Sequence, residues 1–212
     1  MLQFKLNNNT ISIKIAWIET SFKEYVALMQ GVDTTTAISI FTGVPIETLK
    51  KASIIGLEDV IQALSFLRTV PVIPATVTQV GPYKLPLNSK GEFNIQMESL
   101  AQFEDLRQVI KKLPGNDVVV LTKSYPEIVA IYLQKLRDGE YDPDKAKSMV
   151  SDVEDMPALE VISAGSFFLT KLLHLLTGTT PISHNTSQNQ KKKKPDLPTS
   201  KKRSGRSLQS SK

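Results

Sequence analysis

The chain has 212 residues, 41% of them hydrophobic, enough for one or two small domains with a real core. It contains no cysteine and two histidines, which excludes disulfides, thiolate metal sites and a cysteine nucleophile and leaves little for imidazole chemistry. The net charge of +5 is unevenly placed: Pro181–Lys212 holds nine basic side chains and one acidic, net +8, while residues 1–180 hold 17 basic and 20 acidic, net −3.

Phe4–Leu6 and Ile11–Ile15 alternate apolar and polar residues around Asn7-Asn8-Asn9-Thr10, which predicts an opening hairpin. Trp17 follows, where an aromatic anchors a helix onto the sheet. Ser21-Phe22-Lys23-Glu24 has capping-box spacing and starts a helix with Phe22, Tyr25, Val26 and Met29, ending at Gly31. Asp33 or Thr34 caps a second helix with Ala37, Ile38 and Phe41 on one face, stopped by Gly43. Pro45 sets the first turn of a short third helix carrying Ile46 and Leu49. Leu57, Val60, Ile61, Leu64 and Leu67 recur at helical spacing, with Glu58 and Asp59 expected in that helix's first turn. Residues 20–69 therefore read as a compact helical subdomain.

From Val70 to Leu87 the prolines 71, 74, 82 and 86 and the β-branched residues between them favour extended backbone. Asn88-Ser89-Lys90-Gly91 predicts a turn joining Tyr83–Leu87 to Glu92–Gln96. Helices then resume. Phe103, Leu106, Val109, Ile110 and Leu113 form one stripe, ended by Pro114-Gly115. Ser124–Glu127 repeats the capping-box spacing before a helix from Ile128 to Leu136, and Asp142-Pro143 opens another through Val150. The last helix spans Pro157 to Thr177, with Glu160, Ser163, Ser166, Thr170, Lys171, His174 and Thr177 in a limited polar arc. Its wide apolar face requires neighbours on more than one side. The fold class is mainly α (α+β): helical subdomains at 1–69 and 70–178 joined by a small hairpin or sheet, and a disordered basic tail at 179–212.

The tail has too little apolar surface to offset ordering entropy. Lys191, Lys192, Lys193, Lys194, Lys201, Lys202, Arg203 and Arg206 are its candidate partner-binding residues, for phosphates or an acidic protein surface. It has no aromatic residue, so base stacking is not available.

Elsewhere the chemistry is thin. Neither GxGxxG nor GxxxxGK[ST] occurs, and no cofactor is implied. His174 has Thr170 and Gly178 at i±4, so it has no metal-sharing neighbour. Asp138, Glu140, Asp142 and Asp144 depart from a calcium loop, because Gly139 falls too early and the downstream glutamate is missing. They read instead as a turn and a helix cap. Phe167-Phe168 reads as core. No apolar run reaches the roughly 20 residues of a membrane span, and Met1–Asn9 lack the features of a signal peptide. The expected setting is a reducing cytoplasm, and the expected mode of action is binding rather than catalysis.

The segment Trp17–Arg68 resembles the helical part of tail assembly chaperones and small tail-completion proteins of long-tailed bacteriophages. The features concerned are an aromatic before a capped helix, the run "IFTGVPIETLKKAS" with its Thr42-Gly43-Val44-Pro45 element, and the acidic helix "GLEDVIQALSFL". "SLAQFEDLR", "IVAIYLQKLRDGEYD" and "MPALEVISAGSFFLTKLL" look like phage structural-gene products. The resemblance implies a non-enzymatic binder in the host bacterial cytoplasm that keeps the helical tape-measure protein soluble and recruits tail-tube protein. The segment 70–180 is large for such a family member. Gln190-Lys191-Lys192-Lys193-Lys194 matches the product of an adenine-rich slippery run, the site at which such chaperones are extended by translational frameshift. The alternative is a structural virion component, a connector or tube-associated protein, with its basic tail facing DNA.

Overall fold

The computed structural model describes residues 1–6, 9–52, 54–87, 99–113 and 118–177. Residues 1–180 form one compact unit. The fold is mainly α, with two small antiparallel hairpins among the described residues. The expected tail from residue 179 lies outside the described residues, as do its eight candidate partner-binding cations.

β1 (Leu2–Leu6) pairs with β2 (Asn9–Ile13) in the register Leu2↔Ile13 and Phe4↔Ile11. The predicted hairpin is present, but both strands start two residues earlier than the alternation suggested, and β2 also ends two residues earlier. Ile15 falls beyond β2 because its N–H donates to Glu19 Oε2 at 2.8 Å, bending the chain into a 3-10 turn at Trp17–Glu19. α1 (Phe22–Met29) starts at the expected capping box, where Ser21 N–H donates to Glu24 Oε2 at 2.8 Å. The same carboxylate holds Lys14 Nζ at 2.6 Å, fastening the end of the hairpin to the start of the helix. Gly31 then takes φ +79°.

α2 (Thr34–Thr42) is capped by Asp33, whose Oδ1 accepts from Thr36 N–H at 3.0 Å, and is closed by Gly43 at φ +68°. Pro45 precedes the short α3 (Ile46–Leu49). α4 (Ile54–Ala63) runs on into a 3-10 turn at Leu64–Arg68. It begins earlier than predicted, so Glu58 and Asp59 lie in its second turn and do not complement its N-terminal dipole.

Tyr83 is in a strand, as predicted, but the described pairing is with a different partner. β3 (Gln79–Val80) and β4 (Tyr83–Lys84) form a hairpin across Gly81-Pro82. Gly81 supplies the positive φ, +55°, that a two-residue loop needs at its first central position. The predicted turn at 88–91 and its strand at 92–96 lie outside the described residues.

α5 (Leu100–Lys111) carries the predicted stripe as far as Ile110, with Leu113 just beyond its end, and is capped by Ser99 Oγ, which accepts from Gln102 N–H at 3.1 Å. α6 (Val118–Lys123) is not among the predicted helices. It runs almost directly into α7 (Tyr125–Asp138), so Ser124 is αR (φ −86°, ψ −10°) and not the extended cap expected from Ser124–Glu127. α8 (Pro143–Glu154) begins at the predicted Asp142 cap and extends one turn beyond Val150. α9 (Ala158–Thr177) is the predicted last helix.

Two clusters of buried side chains result. The smaller gathers Ile11 and Ile13 of β2, Ile38 and Phe41 of α2, Leu49 of α3, Val60 of α4 and Leu64. The larger is built on α7, α8 and α9, with Leu106 and Val109 of α5 and Val80 of β3. α1 serves both. Phe22 and Tyr25 are buried in the larger cluster, and Leu28 packs on the smaller. Phe22 N–H donates to Met156 O at 2.9 Å and Ala158 N–H to Thr20 O at 2.8 Å, stitching the start of α1 to the start of α9.

α9 has neighbours on several sides, as its wide apolar face requires. Its polar arc is not simply solvated. Ser163 is buried and its Oγ donates to Pro74 O at 2.7 Å, while Glu160 Oε2 accepts from Gly81 N–H at 2.8 Å. Gly165 lets α9 approach α7 closely: a Cβ there would lie 2.6 Å from Tyr125 Cγ and 2.7 Å from Tyr125 Cβ. Gly165→Ala should therefore destabilise by about 1–3 kcal/mol through overpacking, outweighing the ~1 kcal/mol helix-propensity gain. Urea unfolding checks the sign; a stabilised variant would contradict the packing.

Candidate functional site: an apolar groove

An exposed apolar groove lies beside the smaller core. With a volume of about 610 Å³, it runs between α1, α2 and the end of α4, with Trp17 and the segment Thr69–Ile73 along it. Each wall follows from sequence spacing. Leu28 and Met29 come from the last turn of α1, Ala37 and Ile38 from one face of α2, and Ile61 and Leu64 from successive turns of α4 and its 3-10 extension. Met29 is 46% exposed and Ile61 40%. Large apolar side chains this open, grouped around one trench, mark a surface suited to covering another apolar surface.

The rim Thr69–Pro74 has no helix or strand assignment. Val70 is 88% exposed and Val72 86%, so this rim presents apolar side chains to solvent. It is tied at both ends. Trp17 Nε1–H donates to Thr69 O at 3.1 Å, and Ser163 holds Pro74 O. Trp17 itself stands edge-on to Tyr25 (centroids 5.9 Å) and to Phe66 (5.3 Å), and Phe66 stands edge-on to Phe41 (5.8 Å). This replaces the predicted role for Trp17. It anchors α1 to the 3-10 turn after α4, because its ring reaches across to Phe66 and its N–H to the next carbonyl.

The other residues singled out from the sequence have structural partners. Asp142 Oδ1 accepts from Asp144 N–H at 3.0 Å and Lys145 N–H at 3.2 Å, the predicted cap. Asp138 pairs with Arg137 at 2.7 Å, and that hydrogen-bonded guanidinium holds its carboxyl well below the usual carboxylate range. Gln134, fully buried, organises the whole turn: Nε2 donates to Glu140 O (3.1 Å) and Asp138 Oδ2 (3.2 Å), and Oε1 accepts from Asp142 N–H (3.0 Å). No group of three or more potential ligating side chains converges on a metal position among the described residues. Phe168 is buried and stacks on Tyr132 at 4.0 Å, as a core residue. Phe167 is half-buried under Lys171 Nζ, 5.5 Å from its ring. His174 is half-buried on α9.

Among the described residues no helix is long and apolar enough to cross a membrane. The chain matches no protein-family model, no curated protein and no solved structure. The groove was not predicted as a site. The signal for it was present in "TVPVIP", an apolar run that its own prolines bar from helix and from a paired strand.

Trp17→Phe should keep most of the ring packing and lose the bond to Thr69, at a cost of about 1 kcal/mol. Amide exchange across 69–73 should then quicken more than exchange in α7. Unchanged local protection would show that Trp17 does not hold the rim.

Proposed function

We propose that this protein is a non-enzymatic tail-assembly chaperone of a long-tailed bacteriophage, acting in the host bacterial cytoplasm. Its client is the tape-measure protein, whose apolar helical stripes it shields, and it helps recruit tail-tube subunits. The observation that carries this reading is the exposed apolar groove. The residues behind the family resemblance supply part of that groove: Trp17 precedes the capped helix, and Ile61, Leu64 and Leu67 belong to the "GLEDVIQALSFL" segment. Shielding a long client needs apolar surface that is open, shallow and reversible in its contacts, which an enclosed pocket would not provide.

A second reading is supported by the charge segregation of the sequence, net +8 after residue 180 against net −3 before it. A virion component, such as a connector or tube-associated protein, would direct such a tail toward DNA. Mass spectrometry of purified particles separates the two: a chaperone is absent, and a connector is present in fixed stoichiometry.

Co-expression with the tape-measure product should move that product into the soluble fraction. Ile61→Asp, at an exposed position on the groove wall, should return much of it to the pellet. An insoluble fraction unaltered by the wild-type protein would count against the chaperone role.

A further inference from the structure

Among the described residues, one charged side chain lines the groove. Arg68 closes the 3-10 turn after α4, lies exposed at the groove, and forms no ion pair among the described residues. Several other exposed cations are paired: Lys50 with Glu47, Arg107 with Glu104 and Arg137 with Asp138. Among the described residues, no acidic side chain lines the groove. A guanidinium beside apolar surface is weakly hydrated and presents a planar fork of donors that matches a carboxylate.

The form of the occupant follows from the rim. Pro71 has no N–H, and the Thr69 carbonyl is already taken by Trp17. Without the Pro71 N–H, this rim cannot offer an unbroken ladder to an added strand. An extended peptide would also bring unpaired backbone groups against apolar walls, whereas a helix satisfies its own.

We propose that the groove takes an amphipathic α-helix whose apolar stripe is followed, about one turn on, by a glutamate or aspartate that pairs with Arg68. This deepens the docking role proposed above and rests on it. Arg68 becomes a specificity residue: the apolar walls supply contact area, and the charge sets which helices are accepted and in which direction they lie.

The test uses the full-length protein and end-blocked, tryptophan-free helical peptides with leucines at i, i+3, i+4 and i+7. One carries two glutamates a turn beyond the stripe, its twin two lysines. Trp17, the sole tryptophan, lines the groove and reports binding through its fluorescence. The glutamate peptide should bind about tenfold more tightly than the twin at low salt, with the gap narrowing as salt rises. Arg68→Glu should invert the preference, and Arg68→Gln, the milder change, should abolish it.

Equal affinities in the wild-type protein, or a preference untouched by both variants, would overturn the acidic anchor. Equal binding of a proline-interrupted glutamate peptide would overturn the helical occupant, and binding of decanoate but neither peptide would overturn both. If neither peptide binds while co-expression still solubilises the tape-measure product, the acidic-helix site falls and the chaperone role stands. Selective peptide binding with failed co-expression gives the reverse.

Discussion

Trp17 links the two cores through a pair of aromatic contacts. It makes T-shaped contacts with Tyr25 and with Phe66, and those two rings belong to different cores. Each edge-to-face pair adds about 0.5–1.5 kcal/mol beyond burial, modest singly, but the row Tyr25–Trp17–Phe66–Phe41 runs from one core to the other. α1 lies along the same line and buries residues on both sides. α1, packed on both cores and bonded through its first residues to the start of α9, joins the helices of residues 22–68 to those of 100–177, and the groove opens beside it.

That placement explains why so much apolar surface stays open there. Tyr25 and Leu64 must face inward to complete the two cores, and the turns that present them bring Met29 and Ile61 to the margin. Thr69–Pro74 covers the margin only in part, because its prolines prevent it from folding into a helix over the trench. The exposure is a product of backbone chemistry as much as of side-chain choice.

Local signals were easy to read. Ser21-x-x-Glu24, Asp33, Gly43, Pro45 and Asp142-Pro143 mark helix ends through interactions within a few residues, and the ends fall there. Signals that depended on distant partners were not. The second capping-box spacing, at Ser124, fails because α6 occupies the backbone before it, and the valines of α6 gave no sign of helix. Ser163 and Glu160 looked like part of a solvated stripe. Their acceptor and donor, Pro74 O and Gly81 N–H, are contributed by a segment far away in the chain. The groove was hidden for the same reason, since its walls come from four separate stretches and Arg68 matters only by where they leave it.

The seam between Thr20–Phe22 and Met156–Ala158 joins residues that leave the ribosome far apart in time. At about 5–20 residues per second, α9 follows α1 by roughly 7–30 s. Throughout that interval Phe22 and Tyr25 lack the cover that α7, α8 and α9 give them. The nascent chain therefore passes through a stage in which it is itself a greasy, unfinished polypeptide, and its later half acts as the lid that ends that exposure.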